Sequence, residues 1–172
     1  MPNYRRYYIA GRAVFITVVT RKRSPWLTDA AHVTLLINAM RRVKQIHLYE
    51  HIAHVVLPDH FHWMFTLVGD GNFSRIVAAV KRDVTWRTKE VGQKNGSGLW
   101  QSRFYDHVIR DDDDFARHLD YIHFNPVKHG LAESAALYAH SSFDDWVRKG
   151  VYPTDWGAAE SEPASLLGMN LE

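Results

Sequence analysis

Residues 49–67, Tyr49-Glu50-His51-Ile52-Ala53-His54-Val55-Val56-Leu57-Pro58-Asp59-His60-Phe61-His62-Trp63-Met64-Phe65-Thr66-Leu67, read as two extended runs joined by a tight turn. Tyr49–Leu57 and His60–Leu67 are rich in β-branched and aromatic residues, and Pro58-Asp59 between them is a turn pair. Side chains two apart on a strand share a face, so His60 and His62 project together. His51 and His54 differ in parity and are expected to face opposite ways. A converging pair of neutral imidazoles can hold a divalent ion.

Working outward, Ala13–Thr20 is a short β-branched run and predicts a buried strand before the hairpin. Between them Thr28 can cap a helix with Val33, Leu36, Ile37, Met40 and Val43 on one stripe. After the hairpin, Gly69-Asp70-Gly71-Asn72 breaks the chain. It can cap a second helix with Phe73, Ile76, Val77, Val80 and Val84 on its apolar face. Gly92–Gly98 reads as a flexible loop and Phe104–Ile109 as a fourth strand. The order β-α-β-β-α-β predicts an α+β, ferredoxin-like (split βαβ) fold, an antiparallel sheet of about four strands flanked by helices. A further helix is expected from the Asp111–Asp114 run, whose carboxylates suit a helix N-terminus. Phe115, Leu119 and Ile122 form its core stripe. It is expected to end at Asn125, because a residue before proline disfavours the α region. A short helix near Ser142–Arg148 closes the domain at about residue 156, and 157–172 read as a flexible tail.

The composition fits a folded chain: 172 residues, 46% hydrophobic, 13% aromatic and no cysteine. It offers no disulfide, thiolate ligand or thiol nucleophile. No signal peptide or membrane-length apolar run is evident, so a soluble cytoplasmic protein is expected. The net charge of +2 conceals an asymmetry. Residues 1–110 carry 17 Lys or Arg against 7 Asp or Glu, whereas residues 111–172 carry 4 against 12. Basic clusters interleaved with aromatics point to a phosphate-bearing partner, although each cluster alone could be an ordinary solvated face.

The chemistry-bearing candidates are His60, His62, Tyr121 and Asn125. A phenol and an amide four apart lie one above the other on a helix. An amide oxygen is an acceptable ligand for a hard cation. A metal held by His60, His62 and Asn125 could neutralise a phosphodiester while Tyr121 attacks it. Phenolate leaves more readily than a sugar alkoxide, so such an ester can be both made and resolved. The competing readings are two backbone-bonded core histidines and a merely packed tyrosine.

The segments Tyr4-Arg5-Arg6, Phe15-Ile16-Thr17-Val18, Leu57-Pro58-Asp59-His60-Phe61-His62-Trp63, Leu99-Trp100-Gln101-Ser102-Arg103-Phe104 and 120–130 (DYIHFNPVKHG) closely resemble the REP-associated tyrosine transposases. These are relatives of the single-tyrosine HUH transposases. The resemblance spans the chain to about Trp156, and its last block is the most specific. It implies that His60 and His62 are metal ligands with Asn125 as the third, and that Tyr121 becomes linked to a DNA 5′ phosphate. It implies a Mg²⁺ or Mn²⁺ cofactor, and single-stranded DNA with repetitive extragenic palindrome (REP) hairpins as partner. Monomeric action is expected over a homodimer. Phosphate contacts are expected from Arg5, Arg6, Arg12, Arg21, Arg23, Lys81, Arg82, Arg103, Arg117 and Lys128. Two rivals share the element order and charge: an RRM-like nucleic-acid binder, and a phosphohydrolase using metal-activated water.

Overall fold

The computed structural model describes residues 6, 8–90, 98–159, 162–169 and 171. The elements run β1 (Ala13–Val19), α1 (Ala30–Lys44), β2 (Tyr49–Val56), β3 (His60–Leu67), α2 (Phe73–Glu90), β4 (Tyr105–Val108), α3 (Asp112–Lys128) and α4 (Phe143–Arg148). The four strands form one antiparallel sheet in the order β2-β3-β1-β4. This is the expected split-βαβ arrangement. The central strands β1 and β3 come from the most apolar runs, as burial on both faces requires.

Alternation along β1 and β3 divides the interior in two. Val14, Ile16, Val18, Phe61, Trp63, Phe65 and Leu67 pack under α1 and α2. The whole expected stripe of α2 is buried there, as are Val33, Leu36, Met40 and Val43 of α1. Ile37 is only partly buried, and Ala39 takes a core position instead. Burying each large aliphatic or aromatic side chain stabilises the fold by roughly 1.5–3 kcal/mol. The opposite face carries Phe15 and Met64 against α3 and α4. Both faces of the sheet are thus covered by helices.

Four local expectations are corrected. Asp29, not Thr28, caps α1, its carboxylate accepting from the Ala31 N–H at 2.8 Å. Thr28 instead closes the preceding 3-10 turn by donating to the Pro25 carbonyl. The β2–β3 pairing shifts by a bulge between His51 and Ala53. That extra residue breaks the parity rule. His51 and His54 therefore meet, with Nε2 and Nδ1 3.2 Å apart.

The third correction is that α3 does not stop before Pro126 but runs through it to Lys128. Phe124, Asn125, Pro126 and Val127 are all buried, so packing outweighs the local preference. Backbone bonds resume at once, from His129 N to the Asn125 carbonyl at 3.0 Å. The fourth concerns the expected tail. Leu166 is 4% exposed in the α3 core, and Ser165 Oγ donates to Asp120 at 2.6 Å. A few apolar anchors and the half-buried Asp120 on α3 hold the described part of this segment. Of the loop expected at 92–98, only Gly98 lies within the described residues. No helix among the described residues is long and apolar enough to cross a membrane.

Candidate metal and nucleophile centre

His60 and His62 lie on the α3 side of β3 and are 2% and 0% exposed. Thr17 of β1 pairs directly with His62 across the sheet, so their side chains share a face. Thr17 Oγ1 lies 2.9 Å from His62 Nδ1 and donates to the Leu171 carbonyl. In the tautomer that carries its proton on Nδ1, His62 donates to Thr17 Oγ1. The lone pair of His62 is thereby left on Nε2.

Asp59 does the same for His60. Its Oδ1 accepts from His60 Nδ1 at 2.6 Å, and Oδ2 accepts from Arg23 at 3.0 Å. Burial alone would raise the Asp59 carboxyl, but hydrogen bonds from His60 and Arg23 hold it below the usual carboxylate range. Burial, with the nearby His60, His129, Lys128 and Arg23, holds the His62 imidazole well below its ordinary value. It is therefore neutral, the state a metal ligand needs.

Asn125 closes the third side. It is fully buried, and its Nδ2 lies 3.2 Å from His62 Nε2. Its Oδ1 is buried with no hydrogen-bond partner among the described residues. The two ends of an amide are told apart only by their hydrogen bonds. Turning the amide over puts the oxygen beside His62 Nε2. Neighbouring oxygen and nitrogen ligands of an octahedral ion with ~2.1 Å bonds are separated by about 3 Å. The donor set of two imidazole nitrogens and an amide oxygen thus fits a divalent ion.

Tyr121 sits one turn before Asn125 on α3. Its ring centroid is 5.2 Å from that of His62 and 6.0 Å from that of Phe15. The Lys128 ammonium lies 5.0 Å from the ring centroid, within cation–π range. Tyr121 is only 1% exposed, and its hydroxyl accepts from the Leu171 N–H at 3.3 Å. The phenol, the amide and the imidazole pair therefore meet, but under a cover made by the C-terminal segment.

The expected phosphate contacts divide. Arg21, Arg23, Arg82, Arg103, Arg117 and Lys128 are exposed. Several of the others are spent internally. Arg6 bonds Asp106 at 2.7 Å and lies over the Phe104 ring, and Arg12 donates to the carbonyls of Ile109 and Arg110. Lys81 donates to the Gln101 carbonyl at 2.6 Å, and burial lowers its ammonium below the ordinary range. Arg117 also donates to the Ser165 carbonyl. Arg5 lies outside the described residues.

Thr17 and Asp59, which set the tautomers, were not among the sequence candidates. The strand pairing that sets Thr17 opposite His62 and the adjacency of Asp59 to His60 are the signals that identify them. A second cluster, His107, Asp114 and His118, pins β4 to the first turns of α3. Asp114 Oδ2 accepts from His107 Nε2 at 2.8 Å and from the Arg110 N–H at 2.9 Å. Burial would raise that carboxyl, but hydrogen bonds from His107 and Arg110 pull it down to about 2.

Comparison with known proteins places this centre in a family. The family described as "Transposase IS200 like" matches residues 11–125, which hold His60, His62, Tyr121 and Asn125. The REP-associated tyrosine transposase of Escherichia coli K12 is 40% identical over 157 residues, 91% of each chain. A Haemophilus influenzae relative is 39% identical over 167 residues, 91% of this chain and 94% of its own. A solved structure of a REP-associated tyrosine transposase bound to a REP hairpin superposes with a TM-score of 0.81 and 37% identity, covering 100% of this chain and 99% of that one. The chain belongs to the IS200-like transposases and, within them, to the REP-associated tyrosine transposases.

Proposed function

We propose that this transposase cuts single-stranded DNA beside a REP-type hairpin and holds the cut end as a 5′-phosphotyrosine on Tyr121. The observation that carries this reading is the convergence of the Tyr121 ring on the His62 imidazole, which Asn125 also reaches. His60, His62 and Asn125 would hold a divalent ion, Mg²⁺ or Mn²⁺. When bound, that ion draws charge from the phosphoryl oxygens and orients the phosphate. Thr17 and Asp59 keep the ligating nitrogens deprotonated. The Tyr121 hydroxyl gives up its proton as its oxygen attacks phosphorus, the bond from phosphorus to the 3′ oxygen breaks, and the 3′ oxygen takes up a proton and leaves as a hydroxyl. In the reverse sense a 3′-hydroxyl attacks the phosphotyrosine and frees the phenol, which rejoins strands. All four groups meet within a single chain, the arrangement that monomeric action would use.

The RRM-like alternative is poorly supported. Such binders offer an open sheet face to bases, whereas helices cover both faces here. The decisive experiment incubates the protein with Mn²⁺ and a labelled REP-type hairpin carrying single-stranded flanks, then runs a denaturing gel. A covalent protein–DNA adduct is expected. Tyr121→Phe should remove the adduct while leaving hairpin affinity within about twofold of wild type, an interval well under the tenfold that 1.4 kcal/mol represents. Cleavage without an adduct, or at normal rate in Tyr121→Phe, would instead indicate hydrolysis by water.

A further inference from the structure

Two grooves meet at Gln101. One, of about 470 Å³, begins beside Thr17 and Leu171 at the reaction centre and is bordered by Arg23, Arg103 and Tyr105. The other, of about 660 Å³, lies on the α2 side, with Leu99 and Trp100 as floor and Arg82 and Trp86 as wall. Gln101 lines both. Its backbone is pinned by a bond from Gln101 N to the Val19 carbonyl at 2.9 Å and by Lys81 on its own carbonyl. The saddle between the grooves is therefore fixed in place.

Two aromatic side chains stand out along this path. Trp86 is 57% exposed and Tyr105 is 42% exposed. The core stripe of α2 is complete without Trp86, whose ring meets the Arg87 guanidinium 5.5 Å from its centroid and otherwise stays open to solvent. Arg82 and Arg103 form no ion pair among the described residues. Among the described residues lining the second groove the one acid is Asp83, already engaged by Arg42 and Arg87. The path thus combines an apolar floor, exposed flat rings and uncompensated guanidinium groups. Nucleic-acid strands without a fixed sequence are held by this chemistry, bases stacking on aromatic rings while cations track the phosphates.

We infer that the single strand flanking the hairpin leaves the reaction centre past Tyr105 and Arg103, crosses at Gln101, and stacks a base on Trp86 in the α2 groove. This rests on the cleavage reading above and adds to it the route of the DNA. An acidic peptide would satisfy the arginines but would gain little from two separated flat rings.

The test uses the full chain carrying Tyr121→Phe, so that binding is measured without cleavage. Fluorescence anisotropy compares a blunt hairpin with the same hairpin extended by about ten unpaired nucleotides, a length within the range one such surface spans. Trp86→Ala should weaken the extended probe roughly tenfold and leave the blunt probe unchanged, in line with the loss of one stacked base. Trp86→Phe should restore most of the difference, and Tyr105→Leu should act in the same selective way. Because Trp86 is exposed, the alanine variant is expected to fold. Equal weakening of both probes would assign Trp86 to the hairpin surface and overturn the route. So would an unchanged affinity for the extended probe, or an extension that adds nothing to wild-type affinity. Failure of the parent chain to bind either DNA would instead overturn the cleavage reading itself.

Discussion

Replacing Thr17 with valine removes one oxygen from the centre and almost no volume. His62 is fully buried and Thr17 is 2% exposed, so no water stands ready to replace the lost acceptor. If the His62 proton stays on Nδ1, a buried N–H is left unpaired, which costs about 1–3 kcal/mol. For a chain of this length each kcal/mol lowers the melting temperature by roughly 2–4 °C. If the proton moves to Nε2, that cost is relieved, but the lone pair no longer faces Asn125 and metal binding suffers. Loss of such a supporting hydrogen bond typically weakens metal affinity about 10–100-fold. The variant must therefore lose stability in the metal-free form, Mn²⁺ affinity, or some of each. Thermal unfolding without metal and calorimetric titration with Mn²⁺ measure the two, and nitrogen NMR of the imidazole reports the tautomer directly. Thr17→Ser, which keeps the oxygen, should stay near wild type in both. A Thr17→Val protein with unchanged melting temperature and unchanged Mn²⁺ affinity would refute the role given to this hydrogen bond.

Asp114→Asn should lower unfolding free energy at neutral pH by about 1–3 kcal/mol, because three donors lose a charged acceptor. The folded carboxyl lies at about 2, below its unfolded value, so its contribution is complete above roughly pH 4 and fades as pH falls towards 2. Denaturant titrations should accordingly show wild type and variant converging in acid; a constant gap would argue against that ionised pin. Deleting residues 160–172 removes the Leu171 contact from the Tyr121 hydroxyl and should speed adduct formation several-fold. An unchanged rate in a time-course gel would mean that the segment already leaves freely. DNA affinity should fall steeply between low and physiological salt as Lys and Arg release phosphate counterions. A flat response in anisotropy titrations would remove the exposed arginines from the interface.

The strands and the first two helices were legible because their apolar residues recur with clean periods of two and 3.6. The ends of β3 follow from the Pro58-Asp59 turn and the Gly69 break, and the shared face of His60 and His62 follows from strand geometry alone. The bulge between His51 and Ala53 was not legible, since it arises from pairing with β3 rather than from either residue. The course of α3 through Pro126 was hidden for a similar reason. Local backbone preference favours a stop there, and only the burial of Phe124, Asn125 and Val127 reverses it. The segment after residue 157 has neither periodicity nor a long apolar run. Isolated anchors such as Leu166 acquire meaning only when α3 is already in place. The ligand trio and the phenol could be proposed from spacing and resemblance, whereas Thr17 required the strand pairing of β1 with β3.

That pairing ties survival of the fold to survival of the chemistry. Were β3 to slip by one position against β1, Phe61 and Trp63 would swing towards Tyr121, while His60 and His62 would be thrust into the oil beneath α1 and α2. Such a frame would lose its hydrophobic anchors and its imidazoles together. No sturdy but inert version of the sheet, and no active but loosely assembled one, is available a single step away.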